Sequence, residues 1–337
     1  MIRIGIIGAT GYTALELIRI LDRHPHARIT RITSRESSGK QVGEVHSSLR
    51  HLAELEFKQY AFADFKQNVD FSFSCLPHAA SAPIVEELVA GGIKTVDFSA
   101  DYRLDDVASF EKWYEVDHPA PQRLGQVPYG IPELFESDIR EAILVANPGC
   151  FPSSVVIPLA PIIKAGLIET SSIIVDSKTG ISGAGRKAKL KFHFPECNES
   201  VTAYAIGQHR HEPEMDQILK RFSGKSTEII FSPHLIPMDR GILSTIYARP
   251  ANGATPRQML TTLQTVYQQQ PFIRIIDEIP ATKDVTGTNF CDITIRQSRN
   301  HVVIFSALDN LIKGASGAAV QNFNLMNGLD QRTALMQ

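Results

Sequence analysis

The chain has 337 residues, a formal charge of -2, 43% hydrophobic and 21% charged residues, and four cysteines. That near-neutral balance excludes the electrostatic footprint of a nucleic-acid or anionic-membrane binder, and the length and composition fit a soluble globular protein of two domains or one large α/β domain. No apolar run reaches the ~20 residues needed to span a bilayer. Cys75, Cys150, Cys197 and Cys291 lie far apart without CxxC or metal-ligand spacing, as expected of free thiols in a reducing cytoplasm.

MIRIGII opens the chain as a buried strand, with no signal peptide expected ahead of it. Gly8-Ala9-Thr10-Gly11-Tyr12-Thr13-Ala14 then leads into Leu15, Leu17, Ile18 and Leu21 at helical spacing. A strand, a glycine turn and a helix let backbone N–H groups approach a pyrophosphate at the helix N-terminus; the bland alternative is a βαβ turn that binds nothing. The spacing is GxxGxxA rather than GxGxxG. A second strand over 28–33 ends in Ser34-Arg35-Glu36-Ser37. An acidic residue placed first at this strand end would favour NAD, whereas Ser34, Arg35 and Ser37 suit the 2′-phosphate of NADP. Strands at 69–75 and 94–98 flank a helical pattern over 79–90, so a doubly wound sheet is expected. His78, in the Leu76-Pro77-His78 loop after the first of these strands, reads either as a neighbour of the nicotinamide or as a plain surface histidine.

ANPGCFPSSVV, residues 146–156, marks a change of character. Prolines and a glycine stiffen the chain around Cys150, and the apolar run to Ile163 predicts a buried helix with Cys150 at its N-terminus. There the helix dipole favours a thiolate; the competing reading is a core cysteine. A strand over 172–178 runs into a glycine-rich loop bearing Ser182, Gly183, Arg186 and Lys187, which reads as an anion cradle or a mobile surface loop. His209-Arg210-His211-Glu212-Pro213-Glu214 predicts a loop-to-helix junction with Pro213 in the first turn. Without CxxC or HExxH a zinc site has little support, and a general acid/base beside a cysteine nucleophile is the better reading. Strands at 228–236, 242–248, 291–296 and 302–308, with a helix near 255–269, predict a large mixed sheet. Small residues crowd the start of a last helix after Asp309-Asn310, a pattern equally suited to ligand approach and to tight packing.

Taken together, GATGYT, LPH (76–78), SADYRL (99–104), NPGC (147–150), SGAGRK (182–187), HRHEPE (209–214) and DNLIKGASGAAVQN (309–322) resemble the N-acetyl-γ-glutamyl-phosphate reductase family nearly end to end. Ala14 departs from the glycine often found there, a change the third fingerprint position tolerates. The resemblance implies a semialdehyde-dehydrogenase-like α/β fold. A Rossmann-type NADP-binding domain would span 1–148, joined by the C-terminal helix 313–328, and an α/β catalytic and oligomerisation domain with a large mixed sheet would span 149–312. It implies a cytoplasmic homo-oligomer, dimer or tetramer, with neither metal, nucleic acid nor membrane as partner. Its nucleophile maps to Cys150 and its base to the HRH segment, with His209 favoured over His211 because it stands further from the helix dipole and so suits a thiolate–imidazolium pair. Gly8 to Thr13, Ser34, Arg35, Ser37, Pro77, His78 and Asn310 would meet NADPH. Arg103, Asn147, Ser182, Gly183, Arg186 and Arg210 would meet the acyl phosphate. The implied reaction reduces N-acetyl-L-glutamyl 5-phosphate through a cysteine thioester, in arginine biosynthesis. Rival readings are a lysine-pathway homologue acting on an aminoadipyl phosphate, aspartate-semialdehyde dehydrogenase, a cysteine–histidine hydrolase and a non-catalytic NADP-sensing module.

Overall fold

A computed structural model describes residues 1–336, which form two compact units, one of residues 1–148 with 315 onward and one of residues 149–314. In the first, the apolar run at the start of the chain becomes β1 (Ile2–Ile7), with Ile4, Ile6 and Ile7 buried. It is flanked by β2 (Ala27–Thr33), β3 (Phe57–Lys58), β4 (Phe71–Ser74), β5 (Lys94–Asp97) and β6 (Leu144–Ala146). The sheet order is β3-β2-β1-β4-β5-β6 with every pairing parallel, the doubly wound order in which ligands bind beyond the strands' carboxyl ends.

The last helix of this unit, Gly317–Met326, is buried at all ten positions. Phe323 sets its ring edge against Phe71 (4.8 Å) and near His24 (5.3 Å), and packs at a tilt on Phe73 (5.9 Å). Amides replace charge along the helix: Asn322 donates to the carbonyl of Gly130 (3.0 Å), Gln321 to Glu133 (3.0 Å), and Asn324 pairs with His24 (2.9 Å). A Cβ on Gly130 would lie 2.4 Å from the Asn322 amide nitrogen, so glycine is needed where this helix passes.

The second unit carries β7 (Ile174–Thr179), β8 (Thr202–Ala203), β9 (Ile230–Leu235), β10 (Ile242–Ala248), β11 (Ile273–Ile275), β12 (Cys291–Ser298) and β13 (His301–Leu308). They form a mixed sheet in the order β11-β12-β13-β10-β7-β9-β8. Strand alternation sorts its two faces. Val175, Phe231, Ile246, Ile295 and Ile304 share a register row, all buried on the face that packs against the helix Cys150–Lys164. The opposite row runs Arg296, Val303, Tyr247, Ile174 and Ile230, in which Ile230 is 60% exposed and Ile174 42%. Lys178 and His234, also on that open face, pair with Asp176 at 2.6 and 3.1 Å. Among the described residues no helix is long and apolar enough to cross a membrane.

Candidate active site

Cys150 is half-buried and is the first residue of the helix Cys150–Lys164, whose N-cap is Gly149. Pro152 suits the first turn, but Pro158 and Pro161 lie inside the helix. Pro161 lacks the N–H that would bond the carbonyl of Ile157, and the buried Tyr267 hydroxyl donates there instead at 2.5 Å. The helix therefore survives its prolines and holds Cys150 at its positive end, where a thiolate is favoured.

A second helix, His211–Ser223, brings its first turn to the same place. Glu214, wholly buried, accepts the Gly149 N–H at 2.9 Å. A Cβ on Gly149 would lie 2.5 Å from His211 Nε2, so the imidazole is seated directly on the residue preceding the nucleophile. On the other side, a Cβ on Gly314 would lie 2.9 Å from the Cys150 Cβ. Glycine at both positions lets neighbours close on the thiol.

His209 stands differently. Its Nδ1 accepts the N–H of His211 at 3.1 Å, tying down the start of the helix and leaving Nε2 as the protonated nitrogen of the neutral ring. The rings of Phe151 (5.6 Å), Phe231 (5.1 Å) and Tyr204 (5.5 Å) surround it edge-on, and the His211 ring lies 4.9 Å away. Burial among these rings, with the Arg210 charge beside it, holds His209 down to about 4. A neutral His209 at physiological pH runs against the expected His209 imidazolium partner for the thiolate. Burial likewise pushes the Tyr204 phenol up, with the Cys150 thiol adding to the shift.

The glycine-rich loop after β7 departs from the anion cradle read from its sequence. The N–H groups of Gly180, Ile181, Ser182, Gly183 and Gly185 all donate to carbonyls, of Gly241, Met238, Asp239, Gly180 and Ser182 respectively. The Ser182 hydroxyl donates to Asp239 (2.6 Å) and accepts from Asn310 (3.1 Å), whose own oxygen accepts the Gly241 N–H (2.7 Å). Ser182 and Asn310 thus bind three loops of one unit to each other, and only the side chains of exposed Arg186 and Lys187 keep the charge outward. Arg210 is likewise exposed.

In the parallel-sheet unit, Gly8 adopts φ +76°, and a Cβ there would lie 3.0 Å from the Cys75 carbonyl, so glycine is required at that turn. Ala9 carries its N–H to Thr33, and Thr10 carries its own back to Gly8. The helix Tyr12–Asp22 starts on Gly11 with no side-chain cap, and Ala14 is fully buried. Thr13 lends its carbonyl to the Ser316 hydroxyl at 2.7 Å. At the end of β2, Ser34 accepts the Ser37 N–H at 3.2 Å while Arg35 and Glu36 are exposed. Pro77 is exposed, and exposed His78 accepts the Ala100 N–H at 3.0 Å. Buried Asp101 accepts the N–H groups of Ala79 and Ala82, fixing this loop. Asp97, buried beside Asp101, is pushed up to about 6. Arg103 is buried and donates to the Phe98 carbonyl at 2.7 Å. Asn147 is 1% exposed, with its amide engaged by Ala315 and Asn322, which places it as an internal tie in this unit. Among the described residues no group of three or more metal-ligating side chains is present.

Residues 3–142 match the semialdehyde dehydrogenase NAD-binding domain, and residues 150–310 the semialdehyde dehydrogenase dimerisation domain. The chain is 48% identical to a protein of Rhodopirellula baltica named N-acetyl-gamma-glutamyl-phosphate reductase, covering 99% of this chain and 98% of that one. A like-named protein of Desulforudis audaxviator is 43% identical over 100% of this chain and 98% of its own. The chain belongs to the N-acetyl-gamma-glutamyl-phosphate reductase family. Among solved structures, aspartate semialdehyde dehydrogenase II of Vibrio cholerae aligns with a TM-score of 0.74 at 16% identity, covering 97% of this chain and 98% of that one. The Candida albicans aspartate semialdehyde dehydrogenase aligns at 0.73 and 17%, covering 97% and 98%. These likenesses place the fold.

Three further residues at the site lie outside the roles expected from the motifs. Glu214 was visible as the last letter of HRHEPE, three residues after His211 and so on the same side of the helix. Tyr204 and Phe231 carry no local signal, because the fold brings them beside His209 from the end of β8 and from within β9.

Proposed function

We propose that this protein reduces N-acetyl-L-glutamyl 5-phosphate to N-acetyl-L-glutamate 5-semialdehyde and phosphate, with NADPH as reductant, in cytoplasmic arginine biosynthesis. The observation that carries the reading is the contact of two helix N-termini, one beginning with Cys150 and the other with His211. Cys150 attacks the acyl phosphate and expels inorganic phosphate. The thioester accepts hydride from NADPH, and the thiohemiacetal collapses to the aldehyde and free thiol. A thioester is reducible by hydride where an oxygen ester is not electrophilic enough, which is why the nucleophile is sulfur.

The base role passes from His209 to His211 in this reading. His211 is seated on Gly149 and within reach of the thiol's surroundings, whereas His209 is neutral and fixes the His211 backbone. His211 takes the thiol proton as Cys150 attacks, gives it to the alkoxide left by hydride transfer, and takes it back from that hydroxyl as the thiohemiacetal expels the thiolate, which it then reprotonates. Glu214 holds Gly149 and hence the nucleophile's turn. Arg186 and Arg210 supply positive charge for the anionic substrate. Gly8 to Thr13, with Pro77 and His78, would cradle the dinucleotide at the carboxyl ends of the parallel strands. Ser34, Arg35 and Ser37 would take the 2′-phosphate.

The open face of the mixed sheet, with Ile174, Ile230 and Tyr247 in one row, suits pairing with a second copy of the chain, so the working form is proposed as a homo-oligomer. The deciding experiment measures NADPH oxidation with N-acetylglutamyl and N-acetylaminoadipyl phosphates, alongside Cys150→Ala. We expect turnover with the glutamyl substrate and loss of essentially all of it in Cys150→Ala, with NADPH binding retained. A fully active Cys150→Ala enzyme, or preference for the longer substrate, would overturn the mechanism or the substrate respectively.

A further inference from the structure

Beside the catalytic residues lies a cavity of about 120 Å³ to which none of the roles above is given. Phe192, Leu235 and Ile236 form apolar walls, and Lys191, Glu196 and Tyr204 add polar ones. Tyr204 belongs both to this lining and to the ring of side chains around His209, so the cavity starts one side chain from the nucleophile's surroundings. The thiol's influence on the Tyr204 phenol agrees with that nearness. A whole-ligand pocket typically occupies ~300–1,000 Å³. This cavity therefore fits one small arm of a ligand, not a dinucleotide.

Its chemistry narrows the arm further. The Lys191 ammonium stands over the rings of Phe192 (5.1 Å) and Tyr204 (6.0 Å), which hold it at the wall. Glu196 sets an anion in the same lining, which disfavours a phosphate there. A cation, an anion and an apolar wall together match a group with a carboxylate, an amide N–H and a methyl.

We propose that this cavity receives the N-acylated α-amino carboxylate end of the substrate. Lys191 takes the carboxylate, Glu196 accepts the amide N–H, and Phe192, Leu235 and Ile236 contact the acyl methyl. The assignment rests on the acyl-phosphate reductase reading above. It is tested in the oxidative direction with N-acetylglutamate 5-semialdehyde, phosphate and NADP+. Lys191→Met should raise the aldehyde KM roughly tenfold or more, the scale of one charge-assisted hydrogen bond, with kcat within about threefold of wild type. Leu235→Trp, which fills the space, should do the same. Alkylation of Cys150 by iodoacetamide, a reagent without that arm, should keep its wild-type rate in both variants. Unchanged KM in two folded variants, or alkylation slowed in step with turnover, overturns the proposal. A wild-type enzyme that oxidises no semialdehyde would instead remove the reading beneath it, and the proposal with it.

Discussion

Replacing Gly149 by alanine adds one methyl group at the most crowded point of the site. Its φ of -68° and ψ of 152° suit any residue, so the substitution brings no backbone strain. The new Cβ would stand 2.5 Å from His211 Nε2, 2.8 Å from Cδ2 and 2.9 Å from Cε1. Ordinary contact begins near 3.4 Å, so the imidazole must retreat by about 0.9 Å. A misplacement of ~1 Å in a reacting constellation costs on the order of 10²-fold. Overpacking a tight site costs ~1–3 kcal/mol of stability. The expected result is a kcat lowered about a hundredfold, with a modestly lower melting temperature and unchanged NADPH affinity. Steady-state kinetics, thermal melting and nucleotide titration measure the three quantities. Gly314→Ala, which presses on Cys150 itself, should lower kcat as well. A Gly149→Ala enzyme with wild-type kcat would refute the placement of His211 as the base.

Arg35→Gln should cut the preference for NADPH over NADH by roughly ten- to a hundredfold, the scale of one charge-assisted phosphate contact, and equal kcat/KM for both cofactors in the unaltered protein would contradict the NADP assignment. His209 titrates at about 4 in the fold against 6.5 when unperturbed, so the stability it contributes is complete above pH 6.5 and is lost as pH falls towards 4. Asp97 and Asp216, both pushed up to about 6 by burial, act in the opposite sense over that range. The quantity to follow is therefore the difference between wild type and His209→Asn in urea unfolding, which should shrink by on the order of 3 kcal/mol from pH 7 to pH 4. Parallel curves would speak against a buried neutral His209. Ile230→Glu, on the open sheet face, should shift the oligomer towards monomer in sedimentation without lowering the monomer's stability; an unchanged sedimentation coefficient would assign the contact elsewhere.

Long elements were readable from the chain because their signals are local. The apolar run of 242–248 is β10 at the same bounds, and the helix expected after Gly149 begins at Cys150. The two- and three-residue strands β3, β6, β8 and β11 escape notice, since alternation needs more residues to register. The same limit explains the histidines. Distance from a helix dipole is legible in sequence and pointed to His209 as the cation. Desolvation by Phe151, Phe231 and Tyr204 is not, and it dominates. Ser182 and Asn310 likewise look like ligand contacts in a linear motif. Their partners, Asp239 and Gly241, enter only through a tertiary turn.

The wholly buried helix Gly317–Met326 ties the first half of the chain to nearly its last residues. On the ribosome, the parallel-sheet unit must wait for residues 149–314 to be made before Phe323 reaches Phe71 and Phe73. At ~5–20 residues per second that interval is on the order of ten to thirty seconds. The intervening unit is contiguous in sequence whereas the older one is not, so the unit begun first cannot be finished until the chain is almost complete. Stopping translation short of Met326 would leave the older unit without part of its interior, exposing aromatic surface to chaperones and proteases while the younger unit stands finished.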